Sequence, residues 1–131
     1  MIVLDCSALV HVLAVDEPDE RLLDLLSAES LHAPHLVDYE VLDALRGLEL
    51  GRKVTPVRAN LARETYRQLS IERYAMAVVE PRVWALRHGL TAYDATYVAL
   101  AEVLECPLVT TDRKLAGAGG HRAEIRCYGV G

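Results

Sequence analysis

A chain of 131 residues, 52% hydrophobic and 25% charged, reads as one domain spanning 1–131, long enough to bury a core without disulfides or structural metal, and its composition excludes wholesale disorder. No apolar run approaches the roughly 18 residues of a membrane span, and no basic segment followed by an apolar one opens the chain, so a cytoplasmic protein with no membrane association is expected. The net charge of −5 argues at first against nucleic acid, which is held by Lys and Arg.

The charge is unevenly spread. Residues 1–49 carry −9 and residues 50–131 carry +4. Cys6, Cys106 and Cys127 are odd in number and far apart, so neither a disulfide framework nor a zinc site is indicated. His32 and His35 in "HAPH" have a loose ligand spacing, but Pro34 between them favours a turn or strand end.

In chain order, "MIVLD" is a short buried strand ending at Asp5, and "CSALVHVLA" then has helical spacing. "DEPDE" is a polar turn and "RLLDLLSAE" a short amphipathic helix. "SLHAPH" suits a second strand, and "LVDYEVLDALRGLELG" a helix ended by Gly51. "TPVRANLARETYRQL" begins another helix, capped by Thr55 with Pro56 in its first turn. "SIERYAMAVV" is ambiguous with a leaning to strand, and "PRVWALRHG" is a helix running up to Gly89. "TAYDATYVALAE" is a helix fit for a protein interior, interrupted by Asp94. "CPLVTTD" is a strand ending at Asp112, "RKLAGAGG" a glycine loop whose residues permit positive φ, and "AEIRCYGV" a last strand. Strands alternating with helices predict an α/β fold, a three-layer α/β/α sandwich around a mostly parallel sheet.

Asp94 has a structural explanation. Thr91 and Asp94 are spaced as a capping box, and Asp94 falls on the helix side that later carries Glu102 and Glu105, a candidate solvated face. The topology points elsewhere. Open parallel sheets bind ligands beyond the carboxyl ends of their strands, and Asp5 and Asp112 end two strands while Asp94 begins a helix entering from the same edge. Asp38 or Glu40 adds a fourth acid, between which periodicity does not choose; Ala44 and Gly47 leave space beside Glu40. Capping explains each acid singly but not their convergence. Clustered carboxylates repel one another, and only Arg113 and Lys114 are near in sequence. A hard divalent cation compensates such a cluster and activates water for attack on phosphorus.

"IVLDCSAL", "DYEVLDALR", "TAYDATYVALAE" and "PLVTTDRKL" stand in an order and spacing that resemble the PIN-domain ribonucleases, and among them the VapC toxins of type II toxin–antitoxin systems. The resemblance covers essentially the whole chain. It implies an acidic quartet of Asp5, Glu40, Asp94 and Asp112, with Asp5 and Asp94 as direct Mg²⁺ ligands, Mn²⁺ as a substitute, and Ser7 and Thr110 as auxiliary hydroxyls. It further implies endonucleolytic hydrolysis of RNA, such as transfer or ribosomal RNA, leaving a 5′-phosphate and a 3′-hydroxyl and halting translation. A cognate VapB-like antitoxin and a homodimer are the implied partners. Arg58, Arg63 and Arg67, at near-helical spacing, are candidate contacts to RNA or antitoxin and a candidate basic wall beside the site; the alternative is a solvated helix face. Tyr93 and Tyr97 read as packing residues beside the site.

Two other classes fit less well. A phosphoacceptor signalling domain wants a second acid at the first strand end and a Lys near the last strand, and a phosphatase of the haloacid dehalogenase type wants Asp-x-Asp where Ser7 stands. A non-catalytic PIN-like binding protein is the third alternative, against which the complete quartet argues.

Overall fold

In the computed structural model, which describes residues 1–129, five short strands form one parallel sheet in the order β3-β2-β1-β4-β5. They are β1 (Ile2–Leu4), β2 (Leu31–Pro34), β3 (Ile71–Tyr74), β4 (Leu108–Thr110) and β5 (Ile125–Cys127). Val3 pairs with His32 on one side and Leu108 on the other. Consecutive strands therefore leave β1 in opposite directions, and the carboxyl ends of β1 and β4 flank the switch point at which such sheets open a crevice. Val130, the last residue of the expected final strand, lies outside the described residues.

Helices α1 (Cys6–Ala14) and α2 (Glu20–Ala28) join β1 to β2, and α3 (Leu36–Leu50) and α4 (Pro56–Gln68) join β2 to β3. α5 (Glu80–Ala85) and α6 (Ala92–Leu104) lead to β4, and α7 (Arg113–Ala116) leads to β5. Helices α1, α3 and α4 pack on one another, as α5 does on α6, and the sheet is contacted by α1 and α3 from the first group and α6 from the second. This is the α/β/α sandwich read from the sequence.

The helix starts follow from their caps. Thr55 Oγ1 accepts the Arg58 N–H at 3.1 Å ahead of Pro56, and Thr91 Oγ1 accepts the Asp94 N–H at 3.2 Å. β1 and β4 are fully buried, and in α6 every residue from Ala95 to Ala101 is buried. A helix apolar on all sides belongs in an interior.

Several local readings change. "SIERYAMAVV" divides into β3 and a 3₁₀ turn at Met76–Val78. α5 stops at Ala85, short of Gly89, and the segment read as a glycine loop starts with the single turn α7, its positive φ falling at Gly120. The face of α6 carrying Glu102 is not solvated. Its carboxylate is 2% exposed and accepts from Arg82 Nε at 2.7 Å and from the Arg122 N–H at 2.7 Å. Glu105 has left the helix altogether, as a left-handed cap residue.

Asp38 is also taken up structurally. Arg73 donates to it through Nε at 2.8 Å and Nη2 at 2.8 Å, and the Tyr66 hydroxyl donates to the same carboxylate. Burial works against its charge, but Arg73 and Tyr66 outweigh that and hold the carboxyl below the usual range. The cluster ties α3 to α4 and to β3, an edge strand with little core of its own. Replacing Asp38 by Ala strands both donors, and we expect a loss of about 1 kcal/mol after allowance for solvent, read as a lower urea midpoint; an unchanged midpoint contradicts this role.

Candidate functional site

Asp5 leaves β1 and caps α1. Its Oδ1 accepts from the Ala8 N–H at 3.0 Å and Ser7 Oγ at 2.7 Å, and its Oδ2 accepts from Thr110 Oγ1 at 2.6 Å. The two hydroxyl oxygens accept in turn, Ser7 Oγ from the Thr111 N–H at 3.0 Å and Thr110 Oγ1 from the Asp112 N–H at 2.9 Å. Each hydroxyl has one proton and gives it to Asp5, so the 3.1 Å approach of Ser7 to Thr110 is a contact held by their shared acceptor. Burial raises the Asp5 carboxyl above its ordinary value; the three hydrogen bonds oppose that, and Asp112 adds repulsion.

Beside Asp5 is a cleft of about 480 Å³ lined by Asp5, Glu40, Asp94 and Asp112, together with Ser7. Thr110 lies behind the wall, fully buried. The choice left open between Asp38 and Glu40 is thereby made, since Asp38 is held by Arg73 and only Glu40 reaches the cleft. Glu40 Oε1 accepts from the Tyr97 hydroxyl, and Ala44 lines the space one turn on, whereas Gly47 does not. Burial raises the Glu40 carboxyl, Tyr97 counteracts, and Asp94 and Asp5 push it further up. Burial and then Asp112 raise Asp94. Asp112 Oδ1 accepts from the Lys114 N–H at 2.9 Å, capping α7. Only half of the capping box at Thr91 forms, because the Asp94 carboxylate faces the cleft without closing back on the helix.

The four acids thus feel one another, and no Lys or Arg lines the cleft. Arg113 and Lys114 point into solvent. Among the described residues no three His, Cys, Asp or Glu side chains converge tightly enough to hold a metal ion by themselves. An all-oxygen set with one or two available carboxylates is nevertheless what Mg²⁺ takes, since it retains several waters.

The expected basic wall is not built. Arg58 is half-buried, its Nη2 3.4 Å from the Val15 carbonyl, in a groove between α1 and α4. Arg63 binds Asn60 Oδ1 at 2.8 Å and lines a separate groove with Leu42 and Arg46. Arg67 is exposed. At about 100° per residue, Arg63 and Arg67 share a side of α4 that Arg58 does not. Tyr93 departs from the packing expectation too, being 62% exposed, while Tyr97 is 2% exposed and packed as expected.

Sequence reasoning missed Cys6 and His11, both in the cleft. Burial, then Glu40, Asp5 and Asp43, push the Cys6 thiol up to about 12. His11 follows Ser7 by four residues, and that i, i+4 spacing was the available signal. The "HAPH" pair binds nothing in common: His32 is buried between Ser30 Oγ and the Tyr74 hydroxyl, and His35 is exposed.

With this geometry established, similarity to known proteins is informative. The family described as PIN domain matches residues 2–120. Ribonuclease VapC9 of Mycobacterium tuberculosis is 42% identical over 125 residues, covering 95% of this chain and 96% of its own length. Ribonuclease VapC1 of the same organism is 40% identical over 129 residues, covering 95% of each. Among solved structures, Mycobacterium tuberculosis VapC20, a sarcin-ricin loop cleaving toxin, superposes with a TM-score of 0.63 at 17% identity over 91% of this chain and 97% of its own. FitAcB of Neisseria gonorrhoeae does so with a TM-score of 0.64 at 15% identity over 95% and 96%. At those identities the structural likeness is one of fold. The match across most of the chain, together with 42% identity to a VapC ribonuclease, means that the chain belongs to the PIN domain family and to the VapC group within it.

Proposed function

We propose that the protein is the toxin of a type II toxin–antitoxin system, a Mg²⁺-dependent endoribonuclease that cuts transfer or ribosomal RNA and so inhibits translation in the cytoplasm. The observation that carries this reading is the convergence of Asp5, Glu40, Asp94 and Asp112 on one cleft without a neutralising base. The VapC relatives named ribonucleases support the reaction class. Among the described residues no helix is long and apolar enough to cross a membrane.

When bound, Mg²⁺ supplies an activated water and offsets charge developing on the phosphoryl oxygens; Mn²⁺ substitutes for it. Asp5 and Asp94 would hold the ion. Ser7, Thr110 and the Ala8 N–H keep the Asp5 carboxylate in one orientation, which spares reorganisation during the reaction. Glu40, oriented by Tyr97, and Asp112, oriented by the Lys114 N–H, would face the reacting phosphate from the rest of the cleft. In-line attack leaves a 5′-phosphate and a 3′-hydroxyl. A VapB-like antitoxin neutralises the enzyme, and a homodimer brings two such clefts together. Arg63 and Arg67 supply cationic contacts to RNA or antitoxin, and Arg58 is the weaker candidate because its guanidinium is half-buried against Val15.

Purified, antitoxin-free protein is expected to give discrete cuts in end-labelled total transfer and ribosomal RNA in Mg²⁺ or Mn²⁺. EDTA abolishes them, and Asp94→Asn lowers the rate at least about 100-fold; cutting that survives the substitution would return Asp94 to a capping role.

The acids also set a pH dependence. Asp5, Glu40 and Asp94 are raised in the folded state, so between the ordinary carboxylate values near 4 and the raised ones the folded protein binds more protons than the unfolded chain. Stability of the metal-free protein therefore falls as pH rises through that window. Asp19, Asp38 and Glu102 are held low, and their contribution is lost only as pH drops below about 4. Thermal melts in EDTA should peak on the acid side of neutrality, and Mg²⁺ should raise the melting temperature at pH 7–8; a melting temperature indifferent to both pH and Mg²⁺ would contradict the uncompensated cluster.

Charge reversal at Arg63 and Arg67 together is expected to weaken binding of RNA or antitoxin about tenfold. Unchanged affinity for both partners removes these residues from the interface.

A further inference from the structure

The first turn of α6 carries an aromatic ring that the core does not take up. Tyr93 is the second residue of that helix and is 62% exposed, although every residue from Ala95 to Ala101 is buried. Among the described residues no other ring and no cation packs on its face, whereas the similarly exposed Trp84 has the Arg87 guanidinium 4.6 Å from its centroid. A single exposed ring is ordinary on a protein surface. Its position is what matters.

Side chains four apart on a helix lie one above the other on the same face, tilted toward the helix N-terminus. Tyr97, four residues after Tyr93, lines the cleft and donates to Glu40, and Asp94, the next residue, lines it too. Because α6 runs back into β4, its start lies at the carboxyl edge of the strands, where the cleft opens. Tyr93 therefore stands one turn above Tyr97, at the rim. Tyr39 is the contrasting case. It is 75% exposed and adjoins Glu40, but Leu42 and Asp43, three and four residues on, both lie outside the cleft lining.

We propose that Tyr93 stacks on an unpaired RNA base next to the scissile phosphate, so that the substrate is single-stranded where it is cut. This rests on the ribonuclease reading above. No Lys or Arg lines the cleft, so a polyanion meets no counter-charge from the protein beside the acids and is held there by contacts other than ion pairs. A phenol ring accepts the π face of any base and adds no cation that would pair with the carboxylates. Unpaired loops offer such bases to aromatic side chains, whereas a duplex keeps them stacked within itself. Because Tyr93 adjoins Asp94 in the chain, a strand whose phosphate lies at the acids has a neighbouring base within reach of the ring.

The test pairs a change in the ring with a change in the base. On a short synthetic RNA copying the mapped cut site, Tyr93→Leu is expected to raise KM about tenfold with a smaller change in kcat, and Tyr93→Phe to stay within about twofold of wild type. An abasic ribose at one of the two nucleotides flanking the cut should cost wild-type protein a similar factor and Tyr93→Leu nothing further. Because the ring is exposed, the melting temperature and the sedimentation coefficient of Tyr93→Leu should match wild type. The proposal is overturned if Phe loses as much as Leu, or if neither abasic position couples to Tyr93. It is equally overturned if Tyr93→Leu alters the oligomeric state, which places the ring between two copies of the chain. Wild-type protein that cuts no RNA sinks the ribonuclease reading and this inference together, whereas cutting without coupling sinks the inference alone.

Discussion

The Asp5 carboxylate is the constraint on which the rest of the site depends. It is buried at the junction of the two central strands, and each of its oxygens is claimed by a hydroxyl from one of the two motifs that end there, Ser7 from D-x-S and Thr110 from T-x-D. Those hydroxyls accept the N–H groups of Thr111 and Asp112, so the same few atoms satisfy the chain as it leaves β4 and set the position of Asp112. A buried carboxylate without such donors costs several kcal/mol. With them it costs less, but its charge still leans on Asp112 and Glu40. The arrangement stores unfavourable electrostatics in a folded protein, a condition suited to binding a cation.

Three other acids of the chain are employed to opposite effect. Asp38, two residues from Glu40, is held by Arg73 and Tyr66, and Glu102, eight residues after Asp94, is held by Arg82. Asp19 caps a helix and anchors the segment after β5. Asp38 and Glu102, each with an Arg partner, brace neighbouring elements, whereas the four acids of the cleft have none. The sorting follows the helix geometry. Along α3 a step of two residues turns about 200°, so Asp38 and Glu40 face nearly opposite ways.

Helix α6 brings these demands together. It is buried through seven consecutive residues, and its many alanines permit close approach to the sheet. Only its first turn emerges at the carboxyl edge of the strands, and that turn carries Asp94. Tyr97, one turn on, reaches back to orient Glu40. A helix this buried moves little, so the distance between the acid it carries and the acids at the strand ends is set by core packing.

The sequence by itself determined the order of strands and helices, the caps at Thr55 and Thr91, and the acids at the strand ends, because these depend on short-range periodicity and on the direction of a parallel sheet. It also carried the motifs by which the family is recognised. Periodicity did not choose between Asp38 and Glu40, although the family motif pointed to Glu40; in the structure an Arg 35 residues away claims Asp38. Tertiary structure also placed Cys6 in the cleft, buried the Glu102 side chain on a face that looked solvated, and left Tyr93 exposed. For Asp38 and Glu102 the deciding partner is an arginine 35 and 20 residues away, and no local pattern encodes which remote partner a side chain will meet.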